Sequence, residues 1–388
     1  MDERNEFIND YLKKDIPISD ICNRFGISRK TGYKWIERYD KEGRAGLAER
    51  SRAPHTQPLA IEEAVAAEIV ELRQLHPTWG ARKIRELLMR LDGEWPWPAA
   101  SSIGALLKRE GLIVGRQTRK RTPPYTQPLE HAEASNQVWC ADFKGWFLCG
   151  DGKRCDPLTI TDAYSRYLLR CRVVAKTDGV HVRAVFEASF REYGMPEAMR
   201  TDNGPPFASC APGGLSRLSM WWMKLGIRHE RIQPGCPEQN GRHERMHRTL
   251  KAETTNPPGA NLRRQQVMFQ QFETEYNQVR PHEAIGFQTP SELYVGSARN
   301  YPSRLPELEY PVGVHLRRIS QQGSLKWKGG RTFLSEVLAR ETVGLLEIDE
   351  ERFEVYYGSL LLGQLDGHKQ EFQAERKKTT KRRKTGRK

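Results

Sequence analysis

One stretch, residues 234–251, restricts the possible folds most, because its character changes halfway along. Its first half is rich in Pro, Gly and Asn, and its second half contains Glu, Arg, Met, His and Leu. This change predicts a loop that enters a helix, with Gly241 near the junction. Helical spacing then collects four polar side chains on one face of that helix: Glu244, His247, Arg248 and Lys251. Such a face suits a metal-binding carboxylate beside phosphate-binding cations, and the alternative is a solvated face with ion pairs.

Two carboxylates precede this helix, each beside a predicted strand. Asp142 is a lone acid within residues 137–146, which are rich in strand formers, and an acid there is costly unless it is paired or binds metal. Asp202 follows a short predicted strand and precedes the turn-forming Asn203-Gly204. Ligands of open α/β sheets bind at the C-terminal ends of strands. With Glu244, these two aspartates form a candidate set of three carboxylates.

Taken together, these motifs resemble the retroviral-integrase-like DDE transposases of bacterial insertion sequences. The resemblance is carried by Val-Trp-Cys-Ala-Asp (138–142), Thr-Asp-Asn-Gly-Pro-Pro-Phe (201–207) and Pro-Glu-Gln-Asn-Gly-Arg-His-Glu (237–244). It extends through Tyr-Asn-Gln-Val-Arg-Pro-His (276–282) and Thr-Pro-Ser-Glu-Leu (289–293), and it covers about residues 136–294. It implies a ribonuclease-H-like core in which Asp142, Asp202 and Glu244 are catalytic and bind metal.

The third carboxylate has two candidates. The family has 35 residues between its second Asp and its Glu, and this count from Asp202 points to Glu238, six residues before Glu244. We assign Glu244, because in the family the Glu follows the Pro-x-x-x-Gly loop and begins the basic helix. Residues 208–217, rich in Gly, Pro and Ser, then explain the extra length as an inserted loop. Glu238 remains the alternative.

Three carboxylates without a Cys or His cluster favour hard ions, so Mg²⁺ or Mn²⁺ is expected. Two such ions about 3.5–4 Å apart would activate the attacking oxygen and stabilise the leaving one. The resemblance implies water as the first nucleophile and a DNA 3′-hydroxyl as the second, with no covalent intermediate and no ATP. Arg248 and Lys251 are then expected to position the DNA backbone.

Charge and length agree with a multidomain protein that binds nucleic acid. The chain has 388 residues, with 63 Lys and Arg against 49 Asp and Glu, which gives a net charge of +14. Length predicts two to four domains, and the charge favours a polyanionic partner. No apolar run approaches the roughly 18–20 residues of a membrane span, and the charged N-terminus does not resemble a signal segment. Seven cysteines without a Cys-x-x-Cys pair indicate a reducing compartment, so we expect a cytoplasmic, nucleoid-associated protein without membrane contact.

The N-terminal third predicts two DNA readers. Residues 1–50 predict a helix-turn-helix domain, or else a small helical bundle, with four candidate DNA contacts in its second helix: Arg29, Lys30, Tyr33 and Lys34. Residues 51–60 predict a basic linker, and Arg50 and Arg52 could follow a minor groove. Residues 61–121 predict a second helix-turn-helix, with a wing as an open alternative, in which Lys108 and Arg109 are candidate DNA contacts.

The remainder predicts three further parts. After a linker at 122–135, residues 136–295 predict an α/β catalytic core with the order β-β-β-α-β-α-β-α. Residues 312–366 contain short strands separated by turns and predict a small β-barrel, and residues 367–388 form a basic tail. The predicted fold class is therefore a multidomain protein with N-terminal α-helical domains, a ribonuclease-H-like core and a C-terminal β-barrel.

The leading hypothesis is a transposase that binds terminal inverted repeats, cleaves 3′ ends and joins them to target DNA. Because two ends must be treated together, a homodimer or larger assembly on double-stranded DNA is expected. One alternative is a sequence-specific DNA-binding regulator derived from a transposase, and another is a structure-selective nuclease of the same fold. Arg280 and His282 could contact phosphate or brace the active site, and we favour bracing.

Overall fold

A computed structural model describes residues 2–49, 61–113, 132–232 and 241–375. The chain divides into two compact units, Met1–Glu62 and Glu63–Lys388. None of the helices in the described ranges is long and apolar enough to cross a membrane.

The first unit contains α1 (Asp2–Lys13), α2 (Ile18–Arg24) and α3 (Arg29–Glu42). Phe7, Ile21 and Ile36 are buried at its centre. The Ser28 hydroxyl accepts a hydrogen bond from the Thr31 N–H and so caps the start of α3. This is the helix-turn-helix arrangement that the sequence predicts.

The second unit begins with α4 (Glu63–Leu75), α5 (Ala81–Leu91) and α6 (Ala100–Arg109). The predicted second helical reader therefore has its three helices in the expected places. Their buried side chains include Ile69, Trp79, Ile84 and Leu107. Residues 114–131, which hold most of the expected wing and linker, lie outside the described residues, as do residues 50–60 and the tail from 376 onwards.

The catalytic region follows the predicted order, with one short hairpin in addition. Its strands are β1 (Val138–Phe143), β2 (Phe147–Leu148), β3 (Arg154–Cys155), β4 (Pro157–Asp162), β5 (Leu168–Val173), β6 (Ala198–Thr201) and β7 (Arg228–Arg231). Its helices are α7 (Gly179–Tyr193), α8 (Arg217–Lys224), α9 (Gly241–Thr254), α10 (Leu262–Thr274) and α11 (Pro290–Leu293). A π-helical turn, Glu275–Val279, continues α10.

A five-stranded sheet in the order β5-β4-β1-β6-β7 forms the centre of this region. β4 is antiparallel to β1, whereas β6 is parallel to it. Strand alternation sends Trp139 and Ala141 into the cluster that contains Phe186 of α7 and Trp222 of α8. The opposite face of the sheet is covered by α9 and α10, whose buried side chains include Leu250 and Phe269.

The C-terminal region is an antiparallel sheet with a separate hairpin. Its strands are β8 (His315–Arg318), β9 (Ser324–Trp327), β10 (Gly330–Phe333), β11 (Thr342–Asp349), β12 (Arg352–Tyr357), β13 (Leu360–Asp366) and β14 (Glu371–Ala374). The sheet order is β14-β13-β12-β11-β8, and the β9–β10 hairpin packs against both β8 and β14. The predicted small barrel is thus recovered in outline, but its hydrogen-bond ladder is not closed in the described residues.

The inserted loop at residues 208–217 joins the catalytic and C-terminal regions. Its 3₁₀ turn, Pro212–Gly214, contacts β13. Gly213 has a φ of +67°, and a Cβ there would lie 3.0 Å from a methyl group of Leu360. Leu215 and Met220 are buried in the same cluster as Leu325, Val355 and Leu362 of the C-terminal strands. The sheet therefore packs directly on the catalytic region.

Candidate active site

Asp142 and Asp202 lie at the C-terminal ends of neighbouring parallel strands. β1 pairs with β6 in the register Val138↔Ala198 to Cys140↔Arg200, so continuing this register by two residues brings Asp142 beside Asp202. Both side chains are partly exposed. Because Trp139 and Ala141 point to α7 and α8, alternation directs Asp142 to the face that α9 covers.

The turn after β6 is held as the sequence predicts. The Gly204 N–H donates to Asp202 Oδ1 at 3.1 Å, and the Asn203 side-chain amide donates to the Ile232 carbonyl oxygen at 2.7 Å. These bonds orient the carboxylate and tie the turn to the residue that follows β7.

Two buried imidazoles of α9 meet one threonine hydroxyl of β4. Thr159 is the register partner of Asp142, and its Oγ1 lies 2.6 Å from Nε2 of both His243 and His247. Thr159 Oγ1 donates its one hydrogen to the Asp142 carbonyl oxygen at 3.1 Å, so both imidazoles donate to it from Nε2. Burial lowers the pKa of His243 to about 3 and that of His247 to about 2, so both rings are neutral near pH 7.

The expectation that His247 shares an exposed face with Glu244 is wrong. His247 is buried against the sheet, and its Nδ1 lies 4.0 Å from Asp142 Oδ2. Glu244, Arg248 and Lys251 are exposed, as expected. Helical spacing predicts which residues share one face of a helix. It does not predict that His247 packs inwards, where its imidazole contacts the Thr159 hydroxyl.

Lys144 is a cation at this site that the sequence reasoning missed. Burial lowers its pKa, the nearby Lys251 lowers it further, and Asp142 acts in the opposite direction. Lys144 therefore lies within electrostatic range of both Lys251 and Asp142. The signal was available, because Lys144 stands two residues after the candidate aspartate, just beyond the end of β1.

The candidate metal ligands are only partly brought together. Within the described ranges, no three His, Cys, Asp or Glu side chains lie close enough together to hold a metal ion. Asp142 and Asp202 thus lie at neighbouring strand ends, and Glu244 forms no group of three with them. The donor chemistry still fits a hard divalent cation, because all three are carboxylates and the nearby imidazoles are engaged by threonine hydroxyls.

The candidate DNA contacts that lie in the described ranges are exposed. On α3 these are Arg29, Lys30, Tyr33 and Lys34; on α6, Lys108 and Arg109; on α9, Arg248 and Lys251. Arg50, Arg52 and the alternative carboxylate Glu238 lie outside the described residues.

Arg280 contacts the last turn of α9, and its role in bracing the active site stays a prediction. Its Nη1 donates to Glu253 Oε1 in the last turn of α9 at 2.7 Å, and its guanidinium carbon lies 5.7 Å from the centre of the Trp79 ring. Glu253 also accepts a hydrogen bond from the Thr78 hydroxyl. His282 Nε2 lies 3.1 Å from the Tyr276 carbonyl oxygen. Arg280 therefore joins α9 to the segment between α4 and α5.

Thr159→Val is expected to lower the free energy of unfolding by about 2–3 kcal/mol, because it removes the hydroxyl that contacts Nε2 of two buried imidazoles. Thr161→Val is the matched control, since Thr161 contacts one imidazole, His243, at 3.1 Å. Urea unfolding of both variants measures the difference. Equal losses in the two variants would contradict the proposed role of Thr159.

Family models match most of the chain in separate segments. Two models described as "Integrase core domain" match residues 132–237 and 225–290. A "Helix-turn-helix domain" model matches residues 3–55, and a "Homeodomain-like domain" model matches residues 31–107. A protein of insertion element IS407 from Burkholderia multivorans is 30% identical over 234 residues, which cover 60% of this chain and 80% of that protein. The chain belongs to the DDE transposases of bacterial insertion elements.

A second relative is named as a transposase. Transposase InsD of insertion element IS2A/D/F/H/I/K from Escherichia coli is 27% identical over 263 residues, which cover 62% of this chain and 80% of InsD. A solved structure, the HTLV-2 integrase catalytic core domain in complex with magnesium, covers 42% of this chain and 99% of that chain at 16% identity. Its TM-score of 0.34 is too low to support an inference here. This chain is therefore an enzyme, a polynucleotidyl transferase. Its integrase-core and helix-turn-helix domains imply that it acts on DNA.

Proposed function

We propose that this transposase binds the terminal inverted repeats of its element, cleaves the 3′ ends and joins them to target DNA. Asp142, Asp202 and Glu244 are the proposed catalytic and metal-binding residues. The observation that carries the proposal is the register of β1 and β6, which supports a pair of carboxylates at neighbouring strand ends. Glu244 is included because it lies on the exposed side of α9, whose His247 packs close to Asp142.

Two Mg²⁺ or Mn²⁺ ions are the proposed cofactors. When bound, such a pair activates the attacking oxygen and stabilises the leaving oxygen of an in-line phosphoryl transfer. The three carboxylates supply the oxygen ligands that these ions prefer. The hydrogen bond from Gly204 to Asp202 holds one of these ligands in a fixed orientation.

The basic side chains near the carboxylates favour DNA binding at the acidic pair. DNA phosphates and carboxylates repel one another, and nearby cations offset this repulsion. Lys144 interacts electrostatically with both Asp142 and Lys251, and Arg248 is exposed one turn after Glu244 on α9. These three cations position the DNA backbone next to the acidic pair.

The N-terminal readers select the element ends. α3 enters the major groove through Arg29, Lys30, Tyr33 and Lys34, and the second reader contacts DNA through Lys108 and Arg109. Arg50 and Arg52 follow the minor groove between them. Because the two ends of an element are joined to one target, the active form on DNA is a homodimer or larger.

A cleavage and joining assay tests the proposal. The DNA carries the sequences that flank this gene, and wild type is compared with Glu244→Gln and Glu238→Gln at matched DNA binding, with and without Mg²⁺. Wild type is expected to cut and join, with activity lost in Glu244→Gln and kept in Glu238→Gln.

Other results would change the assignment. Loss of activity in Glu238→Gln alone would mean that the 35-residue spacing identifies the third carboxylate. Wild type that binds the flanking DNA but never cuts it with Mg²⁺ or Mn²⁺ would overturn the proposed chemistry and favour a DNA-binding regulator.

A further inference from the structure

A small polar pocket lies on the α9 face of the sheet, beside the candidate active site. Cys140 and Arg200 line it, and each stands two residues before a proposed catalytic aspartate on its strand. Two residues of a strand span roughly 7 Å, so the pocket adjoins the acidic pair on the same face. Its other polar walls include Arg166 and Arg242, and we call it the arginine pocket.

Arg166 is a partly buried cation without a carboxylate partner among the described residues. It follows β4 in a turn with a φ of +70°, and its Nε is buried without a hydrogen-bond partner. Burial lowers the pKa of Arg166 to about 10, and the nearby Arg242 and Arg245 act in the same direction. Two further arginines thus interact with Arg166 in a region where burial already disfavours the charged form.

Asp162, which itself lines the arginine pocket, and the nearby Glu230 are engaged by other groups. The Asp162 carboxylate accepts hydrogen bonds from the Asn136 N–H, the Ser165 N–H and the Ser165 hydroxyl. Glu230 accepts a hydrogen bond from Arg200 at 2.8 Å. Arg242 reaches the Ala163 carbonyl oxygen only at 3.4 Å, which is a long contact. Among the described residues, no carboxylate forms an ion pair with Arg166 or Arg242, so these two guanidinium groups can pair with an anionic ligand.

The dimensions of the pocket restrict that ligand. Its volume is about 30 Å³, which holds about two water molecules but neither a nucleobase nor a sugar. Two non-bridging phosphate oxygens occupy a similar space, and a guanidinium matches them with paired hydrogen bonds. A buried cation is costly unless an anion accompanies it. The ligand class is thus a phosphate whose bulk remains outside the pocket.

We propose that Arg166 and Arg242 bind a backbone phosphate of the DNA strand being cut, next to the phosphate at the acidic pair. This assignment rests on the proposed function, because it places a neighbouring phosphate of the same strand beside Asp142 and Asp202. This contact fixes the position of the DNA strand along the active site without reading its bases.

Methylphosphonate scanning of DNA binding tests the assignment. End duplexes carry one neutral methylphosphonate at each successive position around the cut, and binding is measured in EDTA so that no cleavage occurs. In wild type, one position near the cut is expected to weaken binding about tenfold, because a charged hydrogen-bonded contact is lost. Arg166→Gln and Arg242→Gln are expected to bind normal DNA about tenfold more weakly and to lose the response at that position.

Salt dependence gives a second readout, since losing one phosphate contact should reduce the slope of log K against log[salt] by about one. Arg191→Gln is the matched control, because Arg191 lies on α7, exposed, and pairs with Glu187. If both pocket variants keep the wild-type scanning pattern and slope, or if wild type responds at no position near the cut, the assignment is wrong. Cutting by wild type with Mg²⁺ would still support the proposed function in either case.

Discussion

Asp142→Asn is expected to abolish cleavage and joining while DNA binding stays close to that of wild type. The amide has nearly the same shape as the carboxylate but lacks the charge that holds a divalent cation. Losing several kcal/mol of transition-state stabilisation slows the reaction by roughly a thousandfold or more. The fold should survive, because the Thr159 hydroxyl bonds to the Asp142 backbone carbonyl oxygen and not to its carboxylate.

Cleavage of labelled end duplexes with Mg²⁺ and binding by fluorescence anisotropy measure the two properties separately. Asp151→Asn is the matched control, because Asp151 lies in the turn between β2 and β3 and accepts a hydrogen bond from the Lys153 N–H. Full activity of Asp142→Asn, or loss of DNA binding by it, would count against the catalytic assignment.

Arg280→Met is expected to lower the free energy of unfolding by about 3–5 kcal/mol, the usual cost of breaking a buried ion pair by removing one partner. The Arg280 and Glu253 side chains are 7% and 17% exposed. The substitution leaves the Glu253 carboxylate with only the Thr78 hydroxyl among its described contacts. It also removes the guanidinium from the face of Trp79.

A double-mutant cycle tests this prediction by urea unfolding. Glu253→Gln combined with Arg280→Met should cost less than the sum of the two single losses, because the residues are in contact. The exposed pair Arg191–Glu187 on α7 is the control, and such pairs contribute about 0–1 kcal/mol. Additive losses at Arg280 and Glu253 would mean that the ion pair does not stabilise this junction.

The sequence predicted the parts of the site that depend on local pattern. Strand formers around Asp142 and the Asp-Asn-Gly turn after β6 identified both strand ends, and β1 and β6 are parallel neighbours in the sheet. The change from Pro and Gly to helix formers located α9, which begins at Gly241. Each of these signals lies within a few consecutive residues.

The parts that were missed depend on contacts between distant residues. The hairpin β2–β3 has two residues in each strand, too few for an alternating pattern. The inward turn of His247 depends on Thr159, and the role of Arg280 depends on Glu253 and Trp79. These contacts form only when α9 packs against the sheet and against the helices before it. No periodicity in the sequence can therefore predict them.

The shared cluster around Leu215 and Met220 restricts which protein segments insertion elements can exchange by recombination. These two side chains come from the catalytic region but lie among the C-terminal strands. A chimaera that received only residues 312–375 from another element would place them against a foreign surface. We therefore expect the C-terminal sheet and residues 208–220 to be exchanged together. Recombination that separates these two segments should be selected against.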